Sequence, residues 1–139
     1  MKQKIFIDTS FLCALYNPED ALYQKANEIK QVLKGFLPTL SNFILIETYT
    51  ILAQRVSKEF AVEFGKRVRS RHPYTIFWID RELEDEVWRT FTSIKDKNFS
   101  YVDASILAVI QKEGISHLLS FDHAFKRLEK EYSFNLIEI

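Results

Sequence analysis

Short apolar runs alternate with longer helical patterns along the chain, and this alternation is the strongest constraint on its fold. Five runs are rich in β-branched and aromatic residues, which is the composition of buried strands: residues 5–7, 36–40, 74–79, 117–121 and 134–139. Segments with apolar residues at helical spacing separate these runs. Such an alternation predicts a mainly parallel sheet that is covered by helices on both faces.

The segments between the strands carry signals for where helices begin and end. Proline with acids beside it starts a helix at Pro18 that ends near Gly35, and Gly114 closes another helix. Pro38 predicts that the second strand lies at a sheet edge or is irregular, because proline donates no hydrogen bond. The predicted helices span residues 11–16, 18–35, 43–56, 57–71, 81–94, 101–113 and 123–131.

The composition predicts one ordered domain, residues 1–139, which buries about two-thirds of its unfolded surface. A chain that is 47% hydrophobic and 27% charged does not resemble a disordered tail. The single cysteine, Cys13, excludes an internal disulfide and fits a reducing compartment. The apolar runs are shorter than the roughly 20 residues that span a membrane, and Asp8 interrupts the first of them. We therefore expect a cytoplasmic protein with no membrane span or signal peptide.

The charges balance, with 19 basic and 19 acidic residues, so a site for a polyanion would have to be local. One local excess lies between residues 55 and 71, where six basic residues accompany two acids. A solvated helix face is the usual meaning of such a run. The alternative is a surface that follows nucleic-acid phosphates. Its candidate RNA-binding residues are Arg55, Lys66, Arg67, Arg69 and Arg71.

Two aspartates end predicted strands and would lie at the same edge of a parallel sheet. Asp8 follows the first run, and Asp122 follows the run at residues 117–121. Open α/β sheets bind ligands at the carboxyl ends of their strands, so both side chains are candidates for a site. A structural alternative remains for Asp8, because Asp is a preferred N-cap residue. Thr9 and Ser10 also offer cap hydroxyls to the helix that follows.

Two further acids lie on the apolar sides of predicted helices. Glu47 is four residues from both Phe43 and Ile51, where an unpaired charge would be very costly. It must therefore meet a cation, a hydrogen-bond donor or water, either in a functional site or in an ion pair with an arginine. Asp103 forms a capping-box pattern with Ser100 but also lies on the apolar side of its helix, so a cap and a functional carboxylate are both open.

Convergence of these four acids would require a cation. Two carboxylates about 5 Å apart repel by roughly 3 kcal/mol at an effective dielectric constant of about 20. An all-oxygen cluster suits Mg²⁺ or Mn²⁺ better than Zn²⁺, and none of the three histidines has metal-ligand spacing. Metals held by carboxylates suit phosphodiester hydrolysis, because they generate hydroxide near neutral pH and offset charge on the attacking and leaving oxygens. The sequence offers no convincing covalent nucleophile for another route.

Four short motifs together resemble the PIN domain, and most closely its VapC-type toxins from bacteria and archaea. They are Ile7-Asp8-Thr9-Ser10, the helix acid Glu47, Tyr101-Val102-Asp103-Ala104 and Leu119-Ser120-Phe121-Asp122-x-x-Phe125. The resemblance covers essentially the whole chain. It implies a three-layer α/β/α sandwich and a Mg²⁺- or Mn²⁺-dependent endoribonuclease. It also implies a homodimer, and inhibition by a small antitoxin in a type II toxin–antitoxin pair.

The resemblance also implies roles for individual residues. The catalytic, metal-binding quartet would be Asp8, Glu47, Asp103 and Asp122. Asp8 and Asp103 would be the direct metal ligands, and the other two acids would act directly or through water. Thr9, Ser10 and Ser120 would assist the metal ligands without binding the metal themselves. Ser120 occupies the position where many family members carry Thr.

Two other interpretations remain. A haloacid-dehalogenase-like phosphatase also begins with a strand-terminal aspartate, but that family expects a second aspartate where this chain has Ser10. The non-enzymatic alternative is a catalytically inactive PIN-like module that binds RNA or docks a protein. Four retained acids weigh against it, because an inactive module has no reason to keep repelling carboxylates together.

Overall fold

The computed structural model describes residues 1–70 and 74–137, in which five strands form one sheet. The strands are β1 (Gln3–Ile7), β2 (Phe36–Ser41), β3 (Thr75–Phe77), β4 (His117–Leu119) and β5 (Asn135–Ile137). Every neighbouring pair is parallel, and the order across the sheet is β3-β2-β1-β4-β5. The α-helices are α1 (Thr9–Tyr16), α2 (Tyr23–Ile29), α3 (Asn42–Arg55), α4 (Lys58–Ser70), α5 (Arg81–Ser93), α6 (Tyr101–Glu113) and α7 (Glu129–Tyr132). Short 3₁₀ segments lie at Val32–Gly35 and His123–Leu128.

Burial of the central strand shows that helices cover both faces of the sheet. Ile5, Phe6 and Ile7 of β1 are completely buried, although successive side chains of a strand point to opposite faces. An unbroken apolar run of this kind is typical of a strand inside a parallel sheet. Helix α3 packs against α4, and α5 packs against α6. The predicted three-layer α/β/α sandwich is confirmed.

The order of the strands creates a crevice beside β1. From β1 the chain proceeds outward through β2 to β3, and then returns to place β4 and β5 on the other side. Ile7 pairs with Leu119, and the N–H of Asp8 donates to the carbonyl of Leu119 at 3.0 Å. The carboxyl ends of β1 and β4 therefore meet where the strand order reverses, which is where α/β sheets bind ligands.

The helix predicted over residues 18–35 is wrong in its length. Only α2 and the 3₁₀ segment after it are helical, and the first residues of the predicted helix form turns. Asn17 Oδ1 accepts the N–H of Glu19 at 3.0 Å, and Asp20 Oδ1 accepts the N–H of Leu22 at 2.8 Å. Such side-chain hydrogen bonds compete with the helical ones, which explains the late start of α2.

The prediction of an edge or irregular strand from Pro38 is also wrong, because β2 lies inside the sheet. The described ladder between β2 and β3 runs from Thr39 to Ser41, and Pro38 lies before it. The missing N–H of Pro38 therefore breaks no hydrogen bond of that ladder. The helix predicted over residues 123–131 divides into the 3₁₀ segment and the short helix α7.

The remaining elements lie close to their predicted positions. Helix α6 ends at Gly114, which adopts the left-handed conformation with φ of 63°, as the sequence predicts. Arg71, at the end of the predicted helix 57–71, lies outside the described residues, as do the last two residues of the predicted final strand. Among residues 1–70 and 74–137, no helix has the length and apolar character needed to cross a membrane.

Candidate active site

A cavity of about 380 Å³ at the carboxyl edge of the sheet brings the four predicted acids together. Asp8 follows β1, Glu47 lies on α3, Asp103 lies in the first turn of α6, and Asp122 follows β4. The residues that line the cavity are Asp8, Thr9, Ser10, Cys13, Asp20, Leu22, Glu47, Ile51, Arg55, Asp103 and Asp122. Four separate segments of the chain therefore deliver carboxylates to one point, as the crevice between β1 and β4 predicts.

Asp8 is both a helix cap and a cavity residue. Its Oδ1 accepts the N–H of Thr9 at 2.7 Å, which makes Asp8 the N-cap of α1. The expectation that Thr9 or Ser10 would cap this helix is wrong, because both lie inside its first turn. Asp8 Oδ2 accepts hydroxyl hydrogen bonds from Ser120 at 2.6 Å and from Ser10 at 3.0 Å. With only 5% of Asp8 exposed, these three donors fix the orientation of the carboxylate.

The two serine hydroxyls are themselves oriented by the backbone after β4. Ser10 Oγ accepts the N–H of Phe121 at 3.0 Å, and Ser120 Oγ accepts the N–H of Asp122 at 2.9 Å. Each hydroxyl thus receives one hydrogen bond and donates its own proton to Asp8. The serine pair holds the first acid of the site in a fixed position relative to the loop that carries the last.

Asp103 and Asp122 also combine a local structural role with a place in the cavity. The predicted capping box is present: Ser100 Oγ accepts the N–H of Asp103 at 3.0 Å, and Asp103 Oδ2 accepts the N–H of Ser100 at 2.9 Å. Asp103 Oδ1 receives no hydrogen bond from the residues that the structure describes. Asp122 Oδ1 accepts the N–H of Ala124 at 2.9 Å and caps the second 3₁₀ segment.

Glu47 and Arg55 lie on one face of α3, two turns apart. Residues 47, 51 and 55 share this face because side chains four positions apart are stacked along a helix, and all three line the cavity. Glu47 is half-buried and Arg55 is exposed. Arg55 thus places a positive charge beside the carboxylates, although the sequence assigns it to the basic surface. Its spacing from Glu47 is the signal that could have placed it here.

Asp20 is a cavity residue that the sequence does not single out. The pattern assigns it to the start of a helix, whereas it lies in the turn before α2 and hydrogen-bonds the N–H of Leu22. Asp20 and Leu22 both line the same cavity as Asp8. An acid beside proline is equally typical of a helix start, so the sequence carries no signal that would distinguish the two positions.

The predicted RNA-binding residues that the structure describes line more than one cavity. Arg55 lies at the acidic cavity, whereas Lys66 and Arg67 line a different cavity. Arg69 Nε donates to a tyrosine hydroxyl on α3 at 2.9 Å. Arg71 lies outside the described residues. The basic stretch therefore divides among several environments.

Burial and repulsion from neighbouring carboxylates disfavour ionisation of Asp8 and Asp103. Burial raises the pKa of Asp8 from 3.8 to about 6, and the charge of Asp103 adds to this rise, whereas three accepted hydrogen bonds oppose it. Burial likewise raises the pKa of Asp103 to about 6, and the charges of Asp122 and Glu47 raise it further. Asp103 therefore interacts electrostatically with each of the other three acids. A bound cation would relieve this repulsion and lower both pKa values.

Thr9 lines the cavity and has a buried hydroxyl. Only 4% of the residue is exposed, and its Oγ1 has no hydrogen-bond partner among the described residues. A buried hydroxyl without a hydrogen-bond partner costs folding free energy. Burial also raises the pKa of the Cys13 thiol to about 12, so this thiol stays protonated at neutral pH and offers no nucleophile.

The oxygen atoms that line this cavity are of the chemical type that binds a hard divalent cation. Carboxylate and hydroxyl oxygens line it, and these are the ligands of Mg²⁺ and Mn²⁺. Within residues 1–70 and 74–137, no three acidic, His or Cys side chains already surround a common point at metal-binding distance. Asp8, Asp103 and Asp122 instead direct oxygens toward hydrogen-bond donors. A carboxylate has about four lone-pair sites, so each of these acids can keep its hydrogen bonds and still offer an oxygen lone pair to a cation.

Comparison with known proteins defines the class. Residues 5–131 match the PIN domain, and the chain therefore belongs to the PIN-domain family. Within that family it is of the VapC type. It is 32% identical to the 23S rRNA-specific endonuclease VapC20 of Mycobacterium tuberculosis strain H37Rv. The alignment extends over 121 residues and covers 87% of this chain and 91% of that protein.

Solved structures support the same assignment. The crystal structure of Mycobacterium tuberculosis VapC20, described as a Sarcin-Ricin loop cleaving toxin, matches with a TM-score of 0.81 and 31% identity over 88% of this chain and 93% of that chain. VapBC2 from Rickettsia felis, solved with a promoter DNA fragment, matches with a TM-score of 0.67 and 17% identity over 98% of each chain. This second likeness shows the fold alone.

Proposed function

We propose that the protein is a Mg²⁺- or Mn²⁺-dependent endoribonuclease and the toxin of a type II toxin–antitoxin pair. The observation that carries the proposal is the meeting of Asp8, Glu47, Asp103 and Asp122 in one cavity at the strand switch point. The raised pKa values of Asp8 and Asp103 indicate a site that needs a cation. The similarity to VapC20, a 23S rRNA-specific endonuclease, supports RNA as substrate and makes ribosomal RNA the first to test.

In this reaction, residues around the cavity would have separate roles. A bound Mg²⁺ or Mn²⁺ would supply hydroxide near neutral pH and offset charge on the reacting phosphate. Asp8 and Asp103 would hold it directly, with Glu47 and Asp122 acting directly or through water. Ser10 and Ser120 would keep the Asp8 carboxylate in position through the hydrogen bonds that they donate. Arg55, on the same cavity wall, would meet a phosphate of the RNA.

The proposal includes partners and a location. A VapC-type toxin implies a cognate antitoxin that inhibits it, and family resemblance implies a homodimer. RNA as substrate implies the cytoplasm as the place of action. Co-expression with the product of an adjacent short reading frame tests the antitoxin: the two proteins should co-purify, and RNA cleavage by the purified complex should be suppressed.

Cleavage of RNA tests the enzymatic proposal directly. The wild-type protein should cleave ribosomal RNA with Mn²⁺ or Mg²⁺ and should lose this activity in chelator. Asp8→Asn should abolish cleavage, whereas Asp85→Asn, the same change at an exposed site on α5, should retain it. Activity in chelator, or an active Asp8→Asn variant, would refute the proposal.

Metal titration separates an enzyme from an inactive PIN-like module. A protein that binds Mn²⁺ in the native state gains thermal stability as occupancy rises. The melting temperature of the wild type should therefore increase with Mn²⁺, and that of Asp8→Asn should increase much less. A wild-type protein indifferent to Mn²⁺ would favour the inactive module.

A further inference from the structure

A second cavity, of about 870 Å³, lies at the edge of the sheet opposite the carboxylates. Lys2, which precedes β1, and Phe36, which begins β2, line it, whereas Asp8 follows the far end of β1. The five residues of β1 span about 17 Å, so the two cavities lie at opposite ends of one strand. Nothing in the proposed hydrolysis uses this second cavity.

Cations from separate parts of the chain gather around this cavity. Its basic lining residues are Lys2, Lys30, Lys34, Lys66 and Arg67, and all five are exposed. The acid that lines it is Glu63, which pairs with Lys66 at 3.4 Å. In a chain with a formal charge of zero, this is a strong local excess of positive charge. Such an excess attracts a polyanion.

Aromatic rings form the walls between these cations. Tyr16, Phe36 and Tyr74 line the cavity, and the Tyr16 and Tyr74 hydroxyls are hydrogen-bonded at 3.2 Å. An adjoining lobe of about 220 Å³ shares Tyr16 and Arg67 with it and adds the rings of Tyr23 and Phe60. Rings interleaved with cations are the typical surface for single-stranded nucleic acid, because bases stack on the rings while cations meet the phosphates.

The turn before α2 connects the second cavity to the carboxylates. Asp20 and Leu22 line the acidic cavity, whereas Pro18 and Tyr23 line the aromatic lobe. One short segment of chain thus forms a wall of both spaces. The acidic cavity and the lobe therefore lie on either side of this turn.

We propose that the second cavity and its lobe bind the single-stranded part of the RNA substrate that flanks the cleaved bond. The identity of the ligand rests on the proposed function, and the location rests on the cations, the rings and the shared turn. An acidic peptide with apolar side chains would also match the charge and the apolar walls. The rings between the cations favour RNA, because bases stack on such rings while the cations meet the phosphates.

Binding of short and long RNA tests this proposal without cleavage. Fluorescent polyuridine of about 4 and about 16 nucleotides is titrated onto the protein in chelator. In Lys30→Gln/Lys34→Gln, affinity for the longer RNA should fall about tenfold at low salt, and the slope of log affinity against log salt should shrink by about 1.4, since each single-strand phosphate contact contributes about 0.7. Affinity for the shorter RNA should also fall, because a few nucleotides can occupy the second cavity without reaching the acidic one. The control, Lys95→Gln/Lys97→Gln, alters the same net charge at exposed residues outside the cavity and should leave both affinities unchanged.

Removal of one ring tests the stacking component separately. Tyr23→Leu keeps an apolar side chain in the lobe but removes the ring on which a base would stack. Affinity for the longer RNA should fall about tenfold, with no change in the salt slope, because stacking releases no counterions. Circular dichroism checks that the variant is folded.

The outcomes separate this inference from the proposed nuclease activity. A protein that cleaves RNA with Mn²⁺ but whose lysine and Tyr23 variants bind the longer RNA as well as the wild type overturns the inference alone. A protein that does not cleave, but binds the longer RNA through these residues, overturns the proposed activity alone. If the lysine variant loses affinity for a peptide of alternating glutamate and leucine but not for RNA, the cavity takes a protein segment and the inference is overturned.

Discussion

Replacement of Asp8 by asparagine should stabilise the metal-free protein at neutral pH while destroying the proposed activity. The pKa of Asp8 rises from 3.8 to about 6, a difference of about two units. One unit corresponds to about 1.4 kcal/mol, so ionisation of this buried carboxyl costs about 3 kcal/mol of folding free energy. Asparagine never ionises and does not incur this cost.

The hydrogen bonds of the carboxylate reduce the expected gain. Oδ2 accepts from both Ser120 and Ser10, and an asparagine amide at this position must donate to one hydroxyl instead. Rearrangement of that pair costs about 1 kcal/mol, the net value of a typical hydrogen bond. We therefore expect Asp8→Asn to gain about 1–2 kcal/mol at pH 8, which for a domain of this size raises the melting temperature by about 3–8 °C.

The pH dependence gives the sign of the effect an independent test. Because the folded pKa is raised, the stability associated with protonated Asp8 is fully present below about pH 3.8 and is lost as the pH rises through about 6. After the cost of hydrogen-bond rearrangement, the advantage of Asp8→Asn should be large at pH 8, about a third as large at pH 5, and absent or slightly reversed near pH 4.

Urea denaturation in chelator at these three pH values measures the difference directly. The control is Asp85→Asn, which removes an exposed carboxylate and should follow the wild type at every pH. If Asp8→Asn is less stable than the wild type at pH 8, or if its advantage does not decrease toward pH 4, the argument that Asp8 is held in an unfavourable ionised state is refuted.

Variants at three further positions examine the surroundings of Asp8. Ser120→Ala removes the shortest hydrogen bond to Asp8 and leaves the N–H of Asp122 without its acceptor, so we expect a loss of about 1–3 kcal/mol in urea denaturation and a shift of the acidic limb of the cleavage–pH profile to higher pH. Thr9→Val removes a buried unpaired hydroxyl, so the metal-free protein should keep or gain stability, while the rise in melting temperature on addition of Mn²⁺ should shrink. Thr9→Ser should restore that rise. Equal Mn²⁺ responses in the wild type and both variants would contradict a role of the Thr9 hydroxyl in ligand binding. Arg55→Gln should raise the KM for RNA with little effect on Mn²⁺ binding, and an unchanged KM would place the RNA phosphates elsewhere.

The parts of the fold that depend on local chemistry were predictable from the sequence. The alternation of strand and helix patterns identifies the parallel sheet, and a strand that ends on Asp8 identifies one edge of the crevice. The capping box of Asp103 depends on residues only three positions apart, so the sequence contains all of it. For the same reason, the two open interpretations of Asp103 could not be separated locally. The structure shows that the residue forms the cap and also lines the cavity.

The parts that depend on tertiary neighbours were not predictable from one sequence. Helical spacing gives the relative directions of Lys66, Arg67 and Arg69 around α4, but it does not say which neighbouring element each of them faces. The first two face the second cavity, and the third meets a tyrosine of α3. The late start of α2 depends on side-chain hydrogen bonds in a turn, which compete with an equally plausible helix start.

The hydrogen bond between Ser120 and Asp8 joins residues 112 positions apart, and this separation has a consequence during synthesis. A chain that ends after α6 already carries three of the four acids. It lacks β4, the hydroxyl that fixes Asp8 and the fourth acid, so its crevice has only one wall. Contacts this distant in sequence form only after the intervening chain is available to close the loop. Nascent, prematurely terminated and C-terminally degraded chains therefore lack an assembled site. In a cell that makes this protein, only nearly complete molecules could carry out the proposed cleavage.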